Sequence, residues 1–283
     1  MIEIKNEQLT AKICERGAEL KGLACGTTQY VWEGRADVWN MSAPIMFPIC
    51  GGLKNDCYTL GGKTYTLQKH GYIRFMDFEV EARTDTSVVL LHRSSEETKK
   101  SFPFDYEFRV RYALEGASLQ VDYIVRNLSD ETMYFNVGAH EGYCTPEGIE
   151  DYDVIFPNCE TLDAYVLDGN LLSHQRLPII KDTCTLPLYE KHFTVDALVF
   201  KDVVSRSAVL RNRKTGRAVR VDFPKANYFL LWQKYKAPYI CLEPWNGMPD
   251  TVDADGDICH KEGITQLPAH EEFCYPHTIT VLA

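Results

Sequence analysis

The sequence predicts an all-β protein, a large antiparallel β-sandwich, on three observations. Apolar and polar residues alternate with period two through the clearest segments, the spacing of a half-buried strand. The runs are short, and each is bounded by Gly, Pro, Asn or Asp, the residues that punctuate strands. No amphipathic pattern extends beyond about three helical turns, against a base rate of roughly a third helix for globular domains.

Taken in order, short strands are expected at Phe78–Ala82 and Ser87–His92. The clearest alternation follows from Tyr106, where Phe108, Val110, Tyr112 and Leu114 face one way and Arg109, Arg111 and Glu115 the other. Gly116 and Ala117 turn the chain into Leu119–Val125, making an antiparallel hairpin. Tyr134–Gly138 is the next candidate strand. A second hairpin joins Ala208–Arg211 to Ala218–Phe223 through Lys214, Thr215 and Gly216, and Tyr228–Gln233, Tyr239–Leu242 and Thr278–Leu282 complete the set. That many strands exceeds a small seven-stranded sandwich, and a large two-sheet sandwich accommodates them. With no Pro- or Ser-rich linker, shift in composition or internal repeat, residues 1–283 are expected to form a single domain.

Composition narrows the function classes. The chain has 283 residues, 45% hydrophobic and 25% charged, enough to bury a core without disulfide or metal staples. Its formal charge of -10 repels nucleic-acid phosphates and anionic membranes. The one basic stretch, Arg211–Arg217, is interrupted by Asn212, Thr215 and Gly216 and reads as the solvated turn of a hairpin. Ten scattered cysteines, with no C-x-x-C pair, are expected to be mostly buried, reduced thiols, and no His cluster has zinc spacing. The first residues lack the basic start and apolar run of a signal peptide, and no apolar stretch reaches membrane-span length. A cytoplasmic location, no metal and no cofactor are the expectations.

Three stretches break the alternation with chemistry-bearing residues. The first, from Phe47 to Arg74, contains FPICGGLKND and QKHGYIR, with glycines that let backbone approach a ligand. It sets His70 and Arg74 near each other on a loop, although His70 taken alone reads first as an ordinary loop histidine and only second as functional. In the second, NVGAHEGY, a strand ends in Gly138, Ala139 and His140. His140 is either functional or a core histidine satisfied by a carbonyl, and Glu141 beside it reads as a surface charge. In the third, YICLEPWNGMPD, an apolar run delivers Glu243 beside Trp245 and Asn246. A carboxylate ending a buried strand is paired or functional, because an unpaired buried charge costs several kcal/mol. Trp245 offers a flat apolar face and Asn246 a hydrogen bond to a hydroxyl; a structural ion pair is the rival reading.

One imidazole and one carboxylate from separate strands, with a tryptophan and no cofactor motif, suit the opening and closing of a sugar hemiacetal. That reaction needs a base for the anomeric hydroxyl and an acid for the ring oxygen.

The same segments, in the same order along essentially the whole chain, resemble the aldose 1-epimerase (mutarotase) family, especially its divergent bacterial LacX-like branch. The resemblance implies a galactose mutarotase-like β-supersandwich without metal or cofactor, acting on a monosaccharide as a monomer or homodimer. By motif, HGYIR implies that His70 binds substrate, NVGAHEGY that His140 is the general acid, and CLEPWNG that Glu243 is the general base. VDALVF implies a sugar-binding Asp196. The chain departs from the family where an arginine commonly follows glycine in FP...GRL: here Gly51, Gly52 and Leu53 stand, leaving Lys54 or Arg74 to contact the sugar, and a lysine is a flexible point charge where arginine is a planar fork. The departure leaves open a carbohydrate-binding or sensory protein on the same fold. A glycosidase would need two carboxylates flanking one bond, and only Glu243 presents itself.

Overall fold

The structure is a computed structural model that describes residues 1–282. About 53% of the chain is strand and 7% helix, and among the described residues the only α-helix is the single turn Glu96–Lys99. No helix among them is long and apolar enough to cross a membrane. The fold is the expected all-β antiparallel sandwich.

Alternation builds it. In the hairpin of Tyr106–Glu115 and Ser118–Asn127, Phe108, Val110, Tyr112 and Leu114 are buried and pair across the ladder with Val125, Tyr123, Val121 and Leu119. Each such side chain stabilises the fold by about 1.5–3 kcal/mol. The second hairpin forms from Ser207–Asn212 and Ala218–Asp222. Its basic turn is held by Asn212, whose Oδ1 accepts from the Lys214 and Thr215 amides, while Arg213 and Lys214 pair with Asp153 and Asp151.

Thirteen strands join in one antiparallel sheet. From one edge it runs through Glu141–Cys144, Tyr239–Trp245, Tyr228–Trp232, Leu198–Lys201 and Tyr152–Asp168. It continues through Ser207–Asn212, Ala218–Asp222, Glu272–Leu282, Ser118–Asn127, Tyr106–Glu115 and Ser87–Arg93 to Glu79–Arg83. Leu171–Pro187 pairs with Tyr152–Asp168 outside that path. A twisted sheet of more than about ten strands curls or splits. A four-stranded sheet formed by the first 29 residues packs against it, with Ile4, Leu9, Ile13 and Leu23 entering the same core as Phe108 and Tyr123.

Some boundaries differ from expectation. Tyr239–Leu242 extends through Glu243 and Pro244 to Trp245, because Pro244 lacks only the donor: its carbonyl accepts from the Ala139 amide at 3.1 Å. Tyr134–Gly138 shortens to Met133–Phe135, and Thr278–Leu282 lengthens to Glu272–Leu282. The long hairpin Tyr152–Pro187 was not expected. Its ladder shifts register four times, which destroys period two, and much of its outer strand is exposed. The cysteines are all free thiols, but only Cys50 and Cys241 are buried; Cys159 is exposed and the others are half-buried.

Candidate active site

The strand Tyr239–Trp245 is buried at every position. Ile240 and Leu242 on one face enter the main core, whereas Cys241 and Trp245 belong to separate apolar clusters on the other. Period two therefore carries Glu243, with Trp245, onto the second face, which borders a cleft of about 310 Å³. That volume is within the range of small-molecule sites. The neighbouring strand Glu141–Cys144 pairs Glu141 with Leu242, so His140, just before it, arrives beside Glu243.

The His140 Nδ1 lies 3.4 Å from Glu243 Oε1, with side-chain exposures of 12% and 2%. Neither Nδ1 nor Glu243 Oε2 has a hydrogen-bond partner. The cleft wall thus keeps two titratable groups in contact but unsatisfied. Burial pushes the Glu243 carboxyl well above the usual carboxylate range and the His140 imidazole down to about 3, since low dielectric disfavours each charged form. Trp39 and Trp232 hold the His140 ring, with centroids at 5.4 and 5.5 Å.

His70 packs edge-on to His140 at 5.7 Å and to Trp245 at 5.6 Å. It adopts a left-handed backbone, φ +65°, and is latched twice to Gly51: its amide donates to the Gly51 carbonyl, and its Nδ1 accepts from the Gly51 N–H at 3.1 Å. Accepting at Nδ1 leaves the ring hydrogen on Nε2. Burial, and then the neighbouring His140, hold this imidazole well below its ordinary range. Arg74 donates to the Lys69 carbonyl and covers Phe75; burial lowers its guanidinium to about 10. Lys69 and Arg74 both line the cleft, and no carboxylate among the described residues lies within ion-pair distance of either. Asp196 lines it too, accepting from Trp232 Nε1 at 2.8 Å. Trp245 is fixed by its Nε1 bond to the Ala139 carbonyl and fills the space that Gly138 leaves, where an added Cβ would lie 2.8 Å from the indole.

Two expected contacts are not brought there. The Lys54 ammonium donates to the Ala254 carbonyl at 2.9 Å, away from the cleft. Asn246 is buried and spent on the framework, accepting from the Val137 amide and donating to Thr265; alternation turns it off the face that Trp245 occupies. Glu141 is not a surface charge. It is 2% exposed and its Oε1 lies 2.9 Å from His277 Nε2, because the strand that carries it has core on both faces.

The cleft also contains residues without a prior signal, among them Trp39, Trp232 and Asn170. Lys69 is the exception, since it directly precedes His70 in QKHGYIR. Asn170, at the tip of the long hairpin, occupies the space beside Gly52. A Cβ on Gly52 would lie 2.7 Å from the Asn170 Cβ and 2.9 Å from its carbonyl oxygen, so a side chain there requires the hairpin tip to shift. Of groups that can hold a metal, His140, Cys241 and Glu243 bring their donor atoms within 4.8 Å of one another.

The chain belongs to the aldose 1-epimerase family, whose model matches residues 1–264. Among its relatives is the chromosomal LacX protein of Lactococcus lactis subsp. lactis, 31% identical over 99% of both chains. A galactose mutarotase related enzyme from Lactobacillus acidophilus superposes with a TM-score of 0.94 at 35% identity, covering 100% of this chain and 97% of that one. A galactose mutarotase-like protein from Lactobacillus casei gives 0.94 at 30% identity over 100% of each.

Proposed function

We propose that the chain is a mutarotase that interconverts the α and β anomers of a monosaccharide by acid–base ring opening. Glu243 takes the proton from O1 while His140 protonates O5; the open aldehyde turns about its C1–C2 bond and recloses on the other face. Microscopic reversibility exchanges the two roles. The observation that carries this reading is the 3.4 Å contact between two buried groups with unused hydrogen-bonding atoms.

Burial favours the neutral pair in the free protein, with the single proton on Glu243. A sugar hydroxyl donating to the carboxylate and a ring oxygen accepting from the imidazole favour the ionic arrangement of that same proton. No further proton is required. His70, with hydrogen on Nε2, assists at the ring oxygen; Arg74, Lys69 and Asp196 meet hydroxyls; Trp245 supplies an apolar wall.

The absent arginine favours a second reading, a sugar-binding protein with little turnover. NMR exchange between anomers, run over hexoses and pentoses with and without phosphate, decides between them. Catalysed exchange that falls about 10²–10⁴-fold in Glu243→Gln, with binding retained, is the expected result. Unchanged exchange in that variant removes Glu243 from the chemistry, and tight binding with exchange at the buffer rate favours the binder.

A further inference from the structure

We propose that His140, Cys241 and Glu243 form a binding site for a soft divalent cation of the zinc kind. The donor set is one imidazole nitrogen, one sulfur and one carboxylate oxygen, a mixture that suits zinc. Tetrahedral zinc, with bonds of about 2.0–2.3 Å, sets its ligand atoms roughly 3.3–3.6 Å apart. The 3.4 Å from His140 Nδ1 to Glu243 Oε1 already meets that spacing, and all three donors lie within 4.8 Å, so a modest side-chain rotation closes the set.

Two further observations point to a ligand. His140 Nδ1 and Glu243 Oε2 are buried without hydrogen-bond partners, and an ion would satisfy the first and anchor the second group's carboxylate. Cys241, two residues before Glu243 on the same strand face, is fully buried beside Trp32 and Tyr239, and its thiol is in no disulfide. One thiolate and one carboxylate cancel a 2+ charge, so the bound set is neutral in a setting that penalises charge. The thiol and carboxyl protons pass to solvent on binding. Lys69 and Arg74 oppose a cation here, whereas Asp196 and Glu141 favour it. Three protein ligands leave a fourth position for water or a sugar hydroxyl.

Such an ion engages the atoms assigned to proton transfer and therefore inhibits; that consequence alone rests on the mutarotase reading. The probe is Co²⁺, titrated into the full chain and followed by its thiolate-to-cobalt absorption. We expect one ion per chain, displaced by Zn²⁺, with affinity reduced more than about 100-fold in Cys241→Ala, a larger loss than removal of an outer-shell partner causes. Cys159→Ser, at the exposed cysteine, should leave it intact. A titration identical in wild type and Cys241→Ala overturns the site. Should Cys241→Ala fail to fold, X-ray absorption of the wild-type cobalt complex serves instead: one sulfur among nitrogen and oxygen ligands supports the site, and a sulfur-free shell ends it. Zn²⁺ should also stop anomer exchange in wild type and spare it in Cys241→Ala. Cobalt binding by a protein without anomer exchange keeps the metal site and removes the mutarotase reading.

Discussion

The imidazole of His140 and the carboxyl of Glu243 share a wall of the cleft at 3.4 Å, and burial disfavours the ion of each. Together they hold one proton across the range between the two titrations. Most of what is testable about the chain follows from that range.

The pH profile of kcat/KM should be a broad plateau. On the acid side it falls as the pair takes a second proton, at about pH 3, where burial has moved His140. On the alkaline side it falls as the pair loses its proton, above the usual carboxylate range. Exchange NMR with the buffer rate subtracted measures it. An acid limb at the ordinary histidine value, 6.5, would contradict this arrangement.

Glu243→Gln should gain stability as it loses activity. The folded-state pKa of Glu243 is raised, so the wild type loses stability as pH rises above 4.5, the ordinary value for the group. Glutamine does not titrate. Thermal melts of the two proteins should therefore diverge above that pH, by up to about 1.4 kcal/mol per pH unit. A constant gap between the curves would show that the carboxyl ionises freely.

Restoring the family arginine should harm the protein. In Gly52→Arg the new side chain starts against Asn170 Cβ and its carbonyl oxygen, and overpacking of this kind costs about 1–3 kcal/mol. Urea unfolding checks it; a variant as stable as wild type would mean that the hairpin tip yields.

The pair behind the site should matter to stability. Glu141 and His277 are 2% and 0% exposed, with 2.9 Å between Oε1 and Nε2 and the Tyr123 hydroxyl at 3.4 Å. His277→Ala should cost about 3–5 kcal/mol in urea unfolding, and Glu141→Leu with His277→Phe should return much of it. A loss below about 1 kcal/mol in the single variant would mean that solvent reaches Glu141.

The strands with one wet face were legible because alternation reports a half-buried surface, as Phe108 to Leu114 shows. Where both faces are buried the pattern identifies two sides without saying what each meets. That is why Glu141 reads as exposed and is not, and why Asn246 reads as a ligand contact although it braces Val137 and Thr265. The hairpin Tyr152–Pro187 was hidden by its register shifts. Trp39 and Trp232 reach the cleft only through tertiary contacts between distant segments, which local sequence does not encode.

The two ends of the cleft answer to different constraints. Glu243 stands on a strand buried at every position, and His140 sits just before the edge strand paired to it, so almost any change there disturbs the framework. Asn170 rides on an exposed, bulged arm that can lengthen, shorten or change its tip without touching those strands. Divergence in what the cleft admits is therefore cheapest at the hairpin, and relatives should vary first in the turn around residue 170.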